Sequence, residues 1–331
     1  MIASPTIALI ADALTFESLG LETRIVPLGP VDRIWRLPLA KPDFLLVESA
    51  WLGHRNRWRY KIAGYPEHPE RNNRALGRLV AAARDRNIPT VFWNKEDGVH
   101  FDRFIESARL FDHVFTVDAN AIPRYRQVMG ESASVHVLMF AIQPKTHGFL
   151  GFDFKYHRAN FVGSYSNRVH PQRQRWQDTF FGAACSSGLG VTAIDRNSTR
   201  KAEHYRFPPL RGLEIQGAIS HAETGRIYRD YLVSINVNTV EDSPTMFSRR
   251  LVEILGCGGI AVTNPTVAVN TMFKEFCHVA ASADEARELF ARLRHGPSSM
   301  DLERARAGAE YVAKHHTWAH RLNQIAEVVL R

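Results

Sequence analysis

Short apolar runs alternate with longer amphipathic stretches along most of the chain. Five runs mark the first half, at residues 6–11, 44–48, 90–93, 113–117 and 135–139. Runs of this length, rich in valine, isoleucine and aromatics, predict strands buried on both faces. Between them, helical spacing is clearest over 71–86, where Leu76, Leu79, Val80 and Ala83 fall on one face and Asn87-Ile88-Pro89 closes the element. Strands alternating with helices predict a parallel, doubly wound sheet.

The pattern breaks over 143–158, where Pro144, Gly148 and Gly151 mix with scattered charges, and this stretch reads as a linker. It resumes at Asn160-Phe161-Val162-Gly163-Ser164-Tyr165. A polar helix over 171–186, a strand at 191–194, a helix near 222–231, apolar runs at 231–237 and 260–262 and a βα element over 277–294 follow. Two α/β domains are therefore expected, at 1–145 and 159–315, with a terminal segment 316–331 whose helix (318–330) crosses back to the first domain.

The densest chemistry lies in 242–259, Asp-Ser-Pro-Thr-Met-Phe-Ser-Arg-Arg-Leu-Val-Glu-Ile-Leu-Gly-Cys-Gly-Gly, between two of those apolar runs. It reads as loop, helix and glycine turn, with Ser243 as N-cap and Pro244 at the first helical position. Leu251, Ile254 and Leu255 form a core face, while Arg249 and Glu253, four apart, share another with Arg250 beside them. A helix start with arginines attracts anions, and a glutamate beyond it accepts hydrogen bonds from sugar hydroxyls. A surface ion pair on an ordinary helix satisfies the same spacing.

Composition narrows the partners. The 331 residues suit two ordinary domains, and 45% hydrophobic with 23% charged residues is a globular balance. A net charge of +8 favours anionic partners such as nucleotides, phospholipid headgroups or nucleic acid. Nucleic acid is not expected, because aromatics are not interleaved with basic residues as a single-strand platform needs. Cys185, Cys257 and Cys277 form no CxxC pair, which argues against a disulfide framework or zinc site and for a cytoplasmic setting. The first apolar stretch, 7–14, is short and carries Asp12, so no cleaved leader is expected. No segment approaches the roughly 20 apolar residues that span a bilayer, so a chain working at a membrane sits on its surface. P-loop, GxGxxG, His-Glu-x-x-His, serine-elbow and Asp-x-Asp motifs are absent from the sequence.

Ligands of open α/β sheets bind beyond the carboxyl ends of the strands. Those positions hold Asp12 and Thr15, then Glu48 and Trp51, then Lys95, Glu96, Asp97 and His100, then Asp118. Together they predict a polar cleft. Asp97 and His100 form the best general-base pair, although a capping aspartate beside a hydrogen-bonded histidine reads the same. In the second half, Gly163-Ser164 suggests a close backbone approach, Arg196 a phosphate contact, and Asn236 and Asn238 a polar strand end.

These residues carry a resemblance. Segment 242–259 resembles the nucleotide-sugar site of the CgeB-like (spore maturation protein-like) glycosyltransferases, relatives of the group 1 glycosyltransferases with the GT-B fold. Ile10-Ala11-Asp12 with Thr15, Val47-Glu48-Ser49-Ala50-Trp51-Leu52-Gly53, Thr90 to Asp97, His100-Phe101, Phe115-Thr116-Val117-Asp118, Phe161 to Tyr165, Asp195-Arg196 and His316-Thr317-Trp318 with Arg321 are similar to that family as well. The resemblance implies two Rossmann-like domains facing across a cleft. The C-terminal one would hold a nucleotide-sugar donor and the N-terminal one a hydroxyl acceptor (glycan, lipid-linked saccharide, small molecule or protein). Glu253 would bind the ribose and Arg249 or Arg250 the pyrophosphate. Gly163, Ser164, Arg196, Asn238, Ser243, Thr245 and Met246 complete the implied donor set. Asp12, Thr15, Glu48, Trp51, Glu96 and Asp118 form the acceptor side. A cation in place of a metal fits the missing Asp-x-Asp, so no metal or other cofactor is expected. Retaining relatives carry two glutamates eight positions apart here, and Thr245 stands where the first would be. An inverting route needs a base, for which Asp97 or His100 is available. An epimerase of the same architecture and a non-catalytic nucleotide-sugar-binding protein are the alternatives.

Overall fold

The structure is a computed structural model and describes residues 5–330. Among these, the strands form two six-stranded sheets in which every pairing is parallel. The chain divides into two compact units. The first comprises the residues up to Phe140, Ser243–Met246 and everything from Trp318 onward; the second comprises Ala141–Asp242 and Phe247–Thr317.

In the first unit the strands are β1 (Thr6–Ile10), β2 (Arg24–Pro27), β3 (Phe44–Glu48), β4 (Thr90–Asn94), β5 (His113–Thr116) and β6 (Ser134–Val137). Their order is β2-β1-β3-β4-β5-β6. Every residue of β3 and β4 is buried, as uninterrupted apolar runs require. β2 escapes the sequence reading because it is a four-residue edge strand with no fully buried position. The last helix, Trp318–Val329, sets Trp318 edge-on to Trp93 at 5.4 Å. Buried Arg321 donates from Nε to the Met139 carbonyl at 2.7 Å and from Nη2 to that of Phe140 at 3.2 Å.

The second unit contains β7 (Tyr156–Gly163), β8 (Val191–Asp195), β9 (Leu213–Gln216), β10 (Tyr231–Asn236), β11 (Ile260–Thr263) and β12 (His278–Val279), in the order β12-β11-β10-β7-β8-β9. Phe161, Phe180, Phe181, Val233 and Phe290 anchor its core. β7 begins at Tyr156, inside the stretch expected to be linker, which also carries the short helix Pro144–His147. The edge strand β9 and the helix Ser299–His315 are additions to the sequence reading.

One expectation is corrected. The helix does not start at Ser243-Pro244 but at Arg249, with Ser248 as the extended residue before it. Ser243 does accept the N–H three residues on, from Met246 at 2.9 Å, as an N-cap would. That turn is not propagated, because residues 243–246 bond elsewhere: Ser243 to Asp118 and Thr245 to the Val117 carbonyl. Thr245 is therefore not on the helix that carries Glu253.

Each sheet reverses its winding once. β1 is flanked by β2 and β3, and β7 by β8 and β10, so the switch points lie between β1 and β3 and between β7 and β10. At a switch point neighbouring connections leave in opposite directions and open a crevice beyond the carboxyl ends. The two crevices fix where each unit's chemistry belongs.

Candidate active site

In the second unit the crevice is lined by the ends of β7 and β10 and by the Arg249–Gly256 helix. Gly163 closes β7, and a Cβ there would stand 2.6 Å from the Arg250 guanidinium. Glycine is what lets that side chain lie against the strand end. Arg250 donates from Nε to the Val162 carbonyl at 2.6 Å and stacks over Phe161 at 4.5 Å. Its Nη1 is buried without a hydrogen-bond partner. Arg173, in the first turn of the Pro171–Ser186 helix, donates to the Ser164 carbonyl at 3.0 Å. Arg196 follows β8, its N–H bonded to the Gly163 carbonyl at 3.1 Å.

Arg196 acts on both other guanidiniums, and Arg250 on that of Arg173. Burial, then Arg250 and Arg196, push Arg173 down to about 9, and burial, with Arg196 and Arg249 opposing ionisation, holds Arg250 down to about 10. Cations crowded in a half-buried crevice are costly unless an anion joins them. The N-terminus of the Pro171–Ser186 helix adds partial positive charge. A cavity of ≈ 170 Å³ opens beside Ser164, Arg173 and Tyr205. The arrangement is suited to a multiply charged anion such as a diphosphate.

Glu253 lies one turn on, 3% exposed. Its Oε1 accepts from His221 Nε2 and Arg249 Nε, both at 2.8 Å, and its Oε2 lies 3.4 Å from the Tyr228 hydroxyl. Burial alone would raise its pKa, but Arg249 and the His221 hydrogen bond hold it well below the usual carboxylate range. His147, buried and lowered to about 4 mainly by burial, is neutral. His147, His221 and Glu253 bring ligand-type atoms within 4.8 Å of one another. Arg249 already stands at the Glu253 oxygen, so a divalent ion there would have to displace a bonded cation.

Asn238 is buried, and its Oδ1 accepts the Ser248 N–H at 2.7 Å, positioning the start of the Arg249–Gly256 helix. Ser243, Thr245 and Met246 belong to the first unit. Ser243 donates to Asp118 Oδ1 at 2.6 Å, and Thr245 Oγ1 accepts from the Ala119 N–H at 2.9 Å. Of the expected donor set, Gly163, Ser164, Arg196, Asn238, Arg249, Arg250 and Glu253 lie in the second unit. Arg173 was not among the expected residues. The available signal was its place in the first helical turn after the β7 loop.

In the first unit's crevice the acidic strand ends serve one another. Glu48 is fully buried and accepts from the Asp12 N–H at 2.6 Å, from Thr15 Oγ1 at 2.6 Å and from Lys95 Nζ at 2.9 Å. Asp12 Oδ1 takes the Gly53 N–H at 2.7 Å, and its Oδ2 lies 3.7 Å from Lys95. Asp118 is buried, holding Ser243 and the Asn120 N–H. Glu96, Trp51 and His100 are half-buried, as are Asp12 and Lys95. Burial raises the Glu96 pKa, opposed by Lys95 and by a hydrogen bond from Trp51. Trp51 meets His100 edge-on at 5.3 Å.

Asp97 sits deeper, 4% exposed. It accepts from Asn94 Nδ2 at 2.5 Å and from the Tyr125 hydroxyl at 2.9 Å, and burial lifts its pKa from 3.8 to about 7. Because the folded value lies above the unfolded one, this carboxyl costs no stability at acid pH. It costs progressively more as pH rises from about 4 to about 7, by a few kcal/mol on the order of 1.4 per unit. Asp97→Asn is expected to flatten that decline and to raise the melting temperature at pH 8. Parallel melting curves of both proteins from pH 4 to 8 check it.

Structural comparison places this architecture among glycosyltransferases of GT-B type. The chain superposes on T4 phage BGT in complex with its UDP-glucose substrate with a TM-score of 0.59 at 9% identity, covering 98% of each chain. It superposes on Anabaena Alr3699/HepE in complex with UDP and glucose with a TM-score of 0.58 at 12% identity, covering 97% of this chain and 90% of that one. A glycosyltransferase from Rickettsia africae gives 0.56 at 10% identity, with 98% of both chains covered. No curated protein matches the sequence. A sequence profile described as glycosyl transferase-like matches residues 158–327, just over half the chain and nearly all of the second unit. The chain belongs to the glycosyl transferase-like family.

Proposed function

We propose that the protein transfers a sugar from a nucleotide-sugar donor to a hydroxyl acceptor, without a metal ion. The observation that carries this reading is the convergence of Arg173, Arg196 and Arg250 at the end of β7, beside the switch point of the second unit. Cleaving a sugar–phosphate bond builds charge on the leaving diphosphate, and guanidiniums already in place stabilise it without reorganising. Such fixed cations take the part that a metal plays elsewhere. Glu253, fixed by Arg249 and His221, provides a carboxylate for the donor's ribose hydroxyls. The T4 phage and Anabaena relatives, bound to UDP-glucose and to UDP with glucose, favour a UDP-sugar among donors.

The acceptor side belongs to the first unit's crevice, with Glu96 and His100 rather than buried Asp97 meeting the hydroxyl. Lys95, Asp12 and Glu48 hold the loop that carries them. Glu96→Gln and His100→Ala are each expected to lower turnover about 10²-fold, the scale of general-base catalysis, with donor affinity unchanged. Steady-state rates beside donor titrations separate the two effects. The three free cysteines, two of them buried, suit a reducing cytoplasmic setting.

A screen of nucleotide sugars against hydroxyl acceptors tests the reading. Nucleoside diphosphate should appear only when an acceptor is added. Conversion of the donor to an epimer with no acceptor present would refute transfer.

A further inference from the structure

Two segments of the first unit, joined by one contact, carry features that the proposed sugar transfer does not use. Within residues 31–39, Val31 is 58% exposed, Ile34 68%, Trp35 53% and Leu39 78%. The segment is held in place. Leu37 is buried, Asp32 accepts the Gly29 N–H at 2.6 Å and Arg57 Nη2 at 3.3 Å, and Arg36 donates to the Pro27 carbonyl at 3.0 Å. A segment anchored on its polar and buried side, with large apolar side chains turned to solvent, displays them. Contiguous exposed apolar groups of this size mark interaction surfaces.

The Arg57–Asp32 contact joins this segment to the second feature. Residues 54–78 carry seven cations (Arg55, Arg57, Arg59, Lys61, Arg71, Arg74 and Arg78) against Glu67 and Glu70, a net of five positive charges in a chain of +8. Arg59, Lys61, Arg71, Arg74 and Arg78 line a groove of ≈ 510 Å³ in which Glu70 is the acidic lining residue. Tyr60 lies on its floor between Arg59 and Arg71, whose guanidiniums stand 4.7 and 4.2 Å from its ring.

We infer that this face docks the enzyme on an anionic lipid bilayer. Ile34, Trp35 and Leu39 would enter the headgroup boundary, and the basic groove would take lipid phosphates. The pairing of apolar and cationic groups decides between partners. Stable peripheral binding takes two signals, apolar insertion and charge, and both are present on segments joined by the Arg57–Asp32 contact. Tryptophan beside arginine is the residue pair that favours the headgroup level, and Arg36 lies over Trp35 at 5.4 Å. A nucleic acid would engage the cations and leave the exposed leucine and isoleucine without a role. No helix among the described residues is long and apolar enough to cross a membrane, so docking is from one side.

Flotation with vesicles of phosphatidylcholine alone, or with 30% phosphatidylglycerol, tests the inference on the full chain. Binding to the anionic vesicles is expected, weakening at least tenfold from low to high salt and at least tenfold in Ile34→Ser/Trp35→Ser/Leu39→Ser. Arg71→Glu/Arg74→Glu/Arg78→Glu should lose it as well. None of these residues lies in the donor site, so melting temperature and donor-induced stabilisation should be unchanged in both variants. Failure of donor binding would thus be read separately from failure of docking. The inference is overturned if the wild type ignores anionic vesicles or if both variants bind them like the wild type. It is equally overturned if the apolar variant changes only the sedimenting mass, which would make the face a self-association surface. Tight DNA binding that the charge reversal removes and the apolar variant leaves intact would also overturn it.

Discussion

Replacing Arg250 by methionine is expected to weaken nucleoside-diphosphate binding about 100-fold while leaving the unliganded protein as stable as before, or more so. Methionine keeps an apolar stem over Phe161, so packing changes little. The guanidinium it removes carries a buried Nη1 with no hydrogen-bond partner among the described residues. A charge-assisted hydrogen bond contributes roughly 1.5–3 kcal/mol, so one such bond from Nη1 accounts for the expected loss. Without ligand, Arg250 depresses the Arg173 pKa and Arg196 depresses both, so removing Arg250 relieves repulsion. Arg173→Met should show the same opposed pair of effects. Isothermal titration with UDP and melting curves of the free protein measure the two sides. A residue that merely supported the fold would lose stability along with affinity.

Glu253→Ala is expected to behave in the opposite way and to cost about 3–5 kcal/mol of stability before any ligand is added. Removing one member of a buried ion pair strands the other, and here Arg249 and the His221 N–H lose their shared acceptor. The carboxyl's folded pKa lies below its unfolded value of 4.5, so its contribution is present above that pH and is lost only as pH falls through the depressed value. Denaturant unfolding at pH 7 should therefore show the full loss. Donor affinity should fall too, because the helix turn that carries Arg249 and Arg250 loses its fixed point. Glu253→Gln, which keeps an acceptor oxygen, should recover part of the stability.

The contrast between these variants follows from what the sequence can and cannot display. The strands 44–48 and 90–93 were legible because strands buried on both faces are written as continuous apolar runs. β2 and β9 were not, since short half-exposed edge strands carry no such signature. Gly163, Arg250 and Glu253 were legible as candidates from residue type and spacing. What Gly163 is for, space beside a guanidinium, appears only once β7 and the helix meet.

Arg173 was missed because it reaches the site from a polar helix with no motif of its own. Ser243 was misread for a more instructive reason. Its local cap-like bond to Met246 exists, yet its hydroxyl also reaches Asp118, 125 positions away, and no local pattern encodes that partner. The acidic strand ends show the same limit. Glu48, Thr15 and Asp12 read singly as cleft residues, and Lys95 turns them into a mutually satisfied cluster. That leaves Glu96, Trp51 and His100 as half-buried groups at that crevice outside the cluster.

The proposal that three arginines at the β7 switch point hold a donor diphosphate is tested most directly by titrating the protein with uridine, UMP and UDP. Affinity should rise steeply with each phosphate, and the gain from UMP to UDP should vanish in Arg173→Met/Arg250→Met. Equal affinity for all three ligands, or a phosphate gain that survives in the double variant, would contradict it.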